Sequence, residues 1–108
     1  MSKIKISECP VQMFLNLTGN KWRILIIRDL LTGTKRFGEL LRSIGCSQKV
    51  LTDNLKTLCE NGIVQREAFP VIPPRVEYSL TPLGETLKPV LNSIAQWGEF
   101  YKKSNPQQ

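Results

Sequence analysis

The sequence predicts a mainly α-helical domain with a small β-hairpin, a winged helix-turn-helix. Three observations carry that prediction. Two short helical runs, Phe37 to Ser43 and one opening after Ser47, are joined by a few residues that include Gly45, the pattern of a helix-turn-helix. Directly after the second run the apolar period switches from 3.6 to 2, over Val64 to Ala68 and again over Val76 to Leu80. These alternating runs flank Pro70-Val71-Ile72-Pro73-Pro74, so they read as a hairpin with a stiff tip. The chain has 108 residues, 41% of them hydrophobic and 22% charged, enough for one modest core and too few for two.

The elements follow in order. Residues 1–8 are polar and are expected to form a flexible N-terminal arm. Residues 9–103 form the folded domain, and residues 104–108 a flexible C-terminus. Cys9-Pro10 opens a first helix through Leu17, with proline suited to a first helical position. After Gly19, Asn20 caps a second helix from Lys21 to about Leu31. Its apolar residues, among them Trp22, Ile26, Ile27 and Leu30, cover most of its circumference, which places it in the middle of the fold. Gly33 ends it, and Thr34-Lys35-Arg36 reads as a short link. The third helix buries Phe37, Leu40 and Leu41, and Gly45 is placed to end it in a left-handed conformation. Ser47 caps a fourth helix running to about Asn61, with Leu51, Leu55 and Leu58 on its inner stripe. In the hairpin Val64, Arg66 and Ala68 face one way and Gln65 and Glu67 the other. Thr81-Pro82 starts a last helix carrying Leu83, Leu87, Leu91, Ile94, Trp97 and Tyr101, which Pro89 interrupts and bends. That apolar set, with the apolar side of Val11 to Leu17, exceeds what one small core can cover and predicts a homodimer through the first and last helices.

Composition narrows the function. There is no histidine, which removes His-based catalysis, metal binding and pH sensing together. Cys9, Cys46 and Cys59 are an odd, dispersed set with no Cys-x-x-Cys, so neither a disulfide scaffold nor a zinc site is expected. No carboxylate pair or Gly-rich phosphate loop stands out, so neither an enzyme nor a cofactor is expected. The start lacks the apolar run of a signal peptide, and Ile24 to Ile27 is too short to span a membrane. A reduced, cytoplasmic protein is the expectation. Fifteen Lys+Arg against nine Asp+Glu give a net charge of +6, which leans toward an anionic partner.

In a winged helix-turn-helix the second helix of the pair enters the DNA major groove by its N-terminal part. Here that helix presents Ser47, Gln48, Lys49, Thr52, Asp53 and Lys56 outward. Hydroxyl, amide and ammonium groups at a helix start suit phosphates and base edges. Arg36 adds charge from the preceding link. The same polar face would also serve as ordinary solvated surface; the helix-turn-helix and wing together tip the reading to double-stranded DNA. Arg75, at the hairpin tip, has two readings: a wing residue reaching DNA, or a strand-end arginine paired with Glu77 or Glu67. Cys9 likewise has two: a thiol whose ionised form is favoured by the helix start and which senses oxidants or electrophiles, or a small residue packed at a dimer seam. Cys59 reads as core and Cys46 as a turn residue.

Several fragments together resemble the HxlR-type regulators, bacterial winged-helix proteins related to the MarR type. They are Cys9-Pro10-Val11, Gly19-Asn20-Lys21-Trp22, Arg36-Phe37-Gly38-Glu39-Leu40 and Ser47-Gln48-Lys49-Val50-Leu51-Thr52. Asn61-Gly62-Ile63-Val64, Pro73-Pro74-Arg75-Val76-Glu77-Tyr78-Ser79-Leu80-Thr81 and Gly84 complete the set. The resemblance runs from about residue 9 to residue 98. It implies a homodimeric transcription factor acting on DNA, with the first and last helices at the dimer interface and Cys9 at the position that some members use as a redox switch. Gly45-Cys46 departs from the turn that the family pattern leads one to expect. The sequence names no small-molecule effector. A winged-helix module for protein–protein contact is the runner-up, disfavoured by the positive charge of the outer face.

Overall fold

The computed structural model describes residues 3–104. Helix α1 (Pro10–Thr18) begins at an extended Cys9 and ends at Gly19, whose φ of 56° is in the left-handed range that glycine tolerates. Helix α2 (Lys21–Leu30) is capped as expected: Asn20 Oδ1 accepts from the backbone N–H groups of Trp22 and Arg23 at 3.0 and 3.3 Å. Its Ile26, Ile27 and Leu30 are buried, and it packs on α1, on both helices of the helix-turn-helix and on the sheet. Burying an aliphatic side chain of this size contributes about 2 kcal/mol, so α2 is the spine of the core.

Helix α3 (Phe37–Ile44) starts where the Arg36 N–H donates to Glu39 Oε1 at 2.8 Å and ends at Gly45, φ 79°, whose N–H donates to the Leu41 carbonyl. Helix α4 (Gln48–Glu60) starts at Ser47, whose Oγ accepts from Val50 N–H at 3.1 Å. Its inward residues are Leu51, Asn54, Leu55 and Leu58. Strands β2 (Val64–Phe69) and β3 (Arg75–Leu80) form the predicted hairpin, in a register that sets Val64 opposite Leu80, Arg66 opposite Tyr78 and Ala68 opposite Val76.

Two expectations are corrected. The segment expected to be only a link contains a two-residue strand, β1 (Lys35–Arg36), paired antiparallel with β3, so the wing is a three-stranded sheet in the order β1-β3-β2. Two residues cannot display an alternating pattern, so β1 is specified by its partner and not by its own sequence. The last helix is also two helices. A four-residue α5 (Pro82–Glu85) is capped by Thr81 Oγ1, which accepts from Gly84 N–H at 3.0 Å. A separate α6 (Lys88–Ser104) follows. Pro89 has no N–H to offer the Glu85 carbonyl, which ends continuity before it. Thr86 closes the break, its Oγ1 donating to the Leu83 carbonyl at 2.5 Å.

The turn into α5 is tightly packed. Thr81 N–H donates to the Ile63 carbonyl at 3.0 Å, and a Cβ on Gly84 would overlap that same carbonyl oxygen. Residues 3–8, where the arm is expected, carry no helix or strand. Ile4 N–H donates to Asn61 Oδ1 at 3.0 Å and Asn16 Nδ2 to the Lys5 carbonyl at 2.9 Å. Residues 105–108 of the expected C-terminal tail, and residues 1–2 of the arm, lie outside the described residues.

Candidate nucleic-acid interface

The outer face of α4 is built by subtraction. Three leucines and Asn54 take the inner stripe, so helical geometry leaves Gln48, Lys49, Thr52, Asp53 and Lys56 outside. All five are exposed, as is Ser47. Lys49 Nζ lies 2.9 Å from Asp53 Oδ2, an ion pair one helical turn long with both partners largely in water. Such exposed pairs contribute a few tenths of a kcal/mol, so solvent or an anion can replace the carboxylate readily. Among the described residues no ion pair involves Lys56.

Arg36 is held by two constraints, since it precedes the first residue of α3 and also pairs with Glu77 across β1 and β3. The wing arginine is held differently. Arg75 Nε stands 3.1 Å from Glu77 Oε2, as an ion pair and not as an aligned hydrogen bond, and its guanidinium carbon lies 4.5 Å from the centre of the Phe69 ring. Of the two readings of Arg75, the structure displays the paired one. Glu77 is thus flanked by Arg36 on one neighbouring strand, by Glu67 on the other and by Arg75 along its own. Sequence reasoning offered Glu77 as a partner for Arg75 but not for Arg36, because β1 was not foreseen. At the tip, between the strand ends Phe69 and Arg75, Ile72 is fully exposed.

Cys9 is exposed at the start of α1. Cys46 and Cys59 are half-buried against the core. Burial pushes the Cys59 thiol above its ordinary pKa; nearby Arg66 opposes the rise and Glu60 adds to it. Among the described residues no cluster of His, Cys, Asp and Glu could hold a metal ion, and no helix is long and apolar enough to cross a membrane.

A three-stranded wing behind a helix-turn-helix, with a second helix that turns a polar face carrying Lys49 and Lys56 outward, defines a winged helix-turn-helix DNA-binding regulator. The family model for HxlR-like helix-turn-helix proteins matches residues 17–106, and the chain belongs to that family. It is 47% identical over 91 residues to the HTH-type transcriptional regulator sll1512 of Synechocystis sp., covering 83% of this chain and 67% of that one. Among solved structures it is similar to a MarR-family regulator of Porphyromonas gingivalis, with a TM-score of 0.81 and 47% identity over 88% of this chain and 96% of that one. It is also similar to the redox regulator HypR in its reduced form, with a TM-score of 0.83 and 39% identity over 87% of this chain and 94% of that one.

Proposed function

We propose that the protein is a cytoplasmic, homodimeric, sequence-specific transcriptional regulator that binds a palindromic operator. The observation that carries this is the exposed start of α4, where Ser47, Gln48, Lys49 and Thr52 project from the first turns of a helix whose inner stripe is locked in the core. Gln48 and Thr52 are suited to base edges; Lys49, Lys56 and Arg36 are suited to phosphates. Arg75 joins them once it leaves Glu77.

The dimer is supported by apolar surface with no partner in the monomer. Val11 and Leu15 on α1 are 68% and 51% exposed, and Trp97 and Phe100 on α6 are 64% and 66% exposed. Trp97 and Tyr101 stack at 5.3 Å on the same helix. A second copy presenting the same two faces would bury them by two-fold symmetry and set two α4 helices toward successive major grooves.

Cys9 is the redox- or electrophile-responsive group in this reading, supported by its exposure at the start of α1 next to Val11, and by likeness to a protein described as a redox regulator. The test is recovery of genomic DNA fragments by the purified protein with and without diamide, repeated with Cys9→Ser. A recovered inverted repeat, bound less tightly at higher salt, supports the regulator. Failure to enrich any sequence overturns it, and equal behaviour of wild type and Cys9→Ser toward diamide removes the thiol from the mechanism.

A further inference from the structure

Arg23 sits in the first turn of α2, the helix that packs on both α1 and α4. Its guanidinium reaches in two directions. Nη1 donates to the Leu17 carbonyl at 2.8 Å and to the Asn16 carbonyl at 3.4 Å, in the last turn of α1, where the helix dipole favours a cation. Nε donates to Asn54 Oδ1 at 3.1 Å. Asn54 is 7% exposed and interrupts a stripe of leucines on α4. Its Oδ1 also accepts from Asn20 Nδ2 at 3.3 Å, and its Nδ2 donates to the Val50 carbonyl at 2.8 Å, one turn back toward Gln48. Gly19 makes room for the arrangement, since a Cβ there would stand 2.8 Å from Arg23 Nη1.

We propose that Arg23 is a positioning residue that ties the end of α1 to the reading helix through Asn54, so that the setting of α1 fixes the attitude of the DNA-facing turn of α4. This rests on the reading of α4 as the DNA-binding helix. Leucine packing alone tolerates small rotations of one helix on another, because dispersion contacts have little directionality. A buried amide bonded through both its oxygen and its nitrogen does not, since a rotation leaves a donor or acceptor without its partner. The bonded path runs from the carbonyls closing α1, through the guanidinium and the Asn54 amide, to the Val50 carbonyl. Helix α1 begins at Cys9 and carries Val11 and Leu15 on its outer face, so a change at either feature reaches α4 by this path.

The test compares full-length wild type with Arg23→Ala, Arg23→Lys, Asn54→Ala and the double variant Arg23→Ala/Asn54→Ala. The probes are the duplex that wild type selects from genomic DNA and a random duplex of equal length. Each single variant is expected to bind the selected duplex about tenfold more weakly, and the double variant no more weakly than either single one, as for two residues acting through one contact. Lysine is not expected to rescue, because one nitrogen replaces the two separate ones, Nη1 and Nε, that reach the α1 carbonyls and Asn54. Binding to random duplex stays at the wild-type level. A wild-type ratio of selected to random binding in Arg23→Lys or Asn54→Ala overturns the proposal, as do additive losses in the double variant. Losses on both duplexes in proportion to a lowered melting temperature would show a merely structural role and also overturn it. Should alanine prevent folding, Asn54→Leu extends the leucine stripe of α4 and removes only the amide that Arg23 Nε bonds; wild-type specificity there overturns the proposal. If wild type selects no sequence at all, the reading of α4 fails and the proposal with it, whereas a selected site bound normally by the variants removes only Arg23.

Discussion

Arg36 and Glu77 stand directly opposite each other across the β1–β3 pair, and Arg36 is also the residue from which α3 starts. One side chain position therefore belongs to the wing and to the helix-turn-helix at once. The hairpin is not an appendage hinged on Gly62 and Thr81 alone; it is stitched to the base of α3 through a third strand. The wing tip and the start of α4 consequently hold a fixed relation before any partner is met.

Glu77 holds Arg75 in an ion pair, and releasing that arginine should be visible in DNA binding. In Glu77→Gln, Arg75 loses its ion pair and the like-charge opposition to Glu67 disappears. Tighter binding at low salt is expected, with the slope of log K against log salt steeper by about one for each arginine that gains a phosphate. Fluorescence anisotropy across a salt series measures it. An unchanged slope would show that Arg75 remains over Phe69.

The outer face of α4 should divide into two kinds of residue. Gln48→Ala and Thr52→Ala should cost about 1–3 kcal/mol on the preferred duplex and little on random DNA. Lys49→Ala and Lys56→Ala should weaken both to a similar degree. Competition titrations on the two duplexes distinguish these patterns. Equal losses for Gln48→Ala on both would remove it from the reading set.

Trp97→Lys places a charge among the exposed apolar residues Val90, Ile94 and Tyr101 of α6, away from the buried Leu91. A monomer is expected in sedimentation velocity at micromolar concentration, with an unchanged far-ultraviolet circular dichroism spectrum. A variant that sediments like wild type would place the dimer face elsewhere.

The half-buried thiol of Cys59 gives stability a defined pH dependence. Its pKa is higher folded than unfolded, so the folded state holds the proton more firmly. The associated stabilisation is complete below about pH 9, the ordinary value for this thiol, and is lost as the pH rises through the folded value. Denaturation midpoints should fall over that range in wild type and fall less in Cys59→Ala. In native protein at neutral pH, maleimide should label exposed Cys9 ahead of Cys59, as read by mass spectrometry.

Most of the fold was legible because each major element carries its own signal. Pro10, Asn20, Ser47 and Thr81 mark helix starts by chemistry that acts within a few residues, and Gly45 marks an end. β1 was not legible: its strand character comes from Tyr78 and Glu77, some forty residues away in sequence by the observed register. The break before α6 was half legible, since Pro89 announced a disturbance but not that Thr86 would close the preceding turn. At the candidate site, the exposed face of α4 followed from periodicity alone. The Arg23–Asn54 link did not, although a polar residue on a leucine stripe is a signal that a buried partner exists.

The severed last helix separates two kinds of evolutionary freedom. Of the residues in α6 only Leu91 is buried in the folded chain, so the rest of the helix answers to almost nothing in the core. Its outward side chains can therefore diverge between duplicated genes without disturbing the elements that hold α3 and α4. If two copies pair through α6 as proposed, a cell carrying several such proteins could keep their subunits from mixing by changes confined to this one rod, leaving the outer face of α4 untouched.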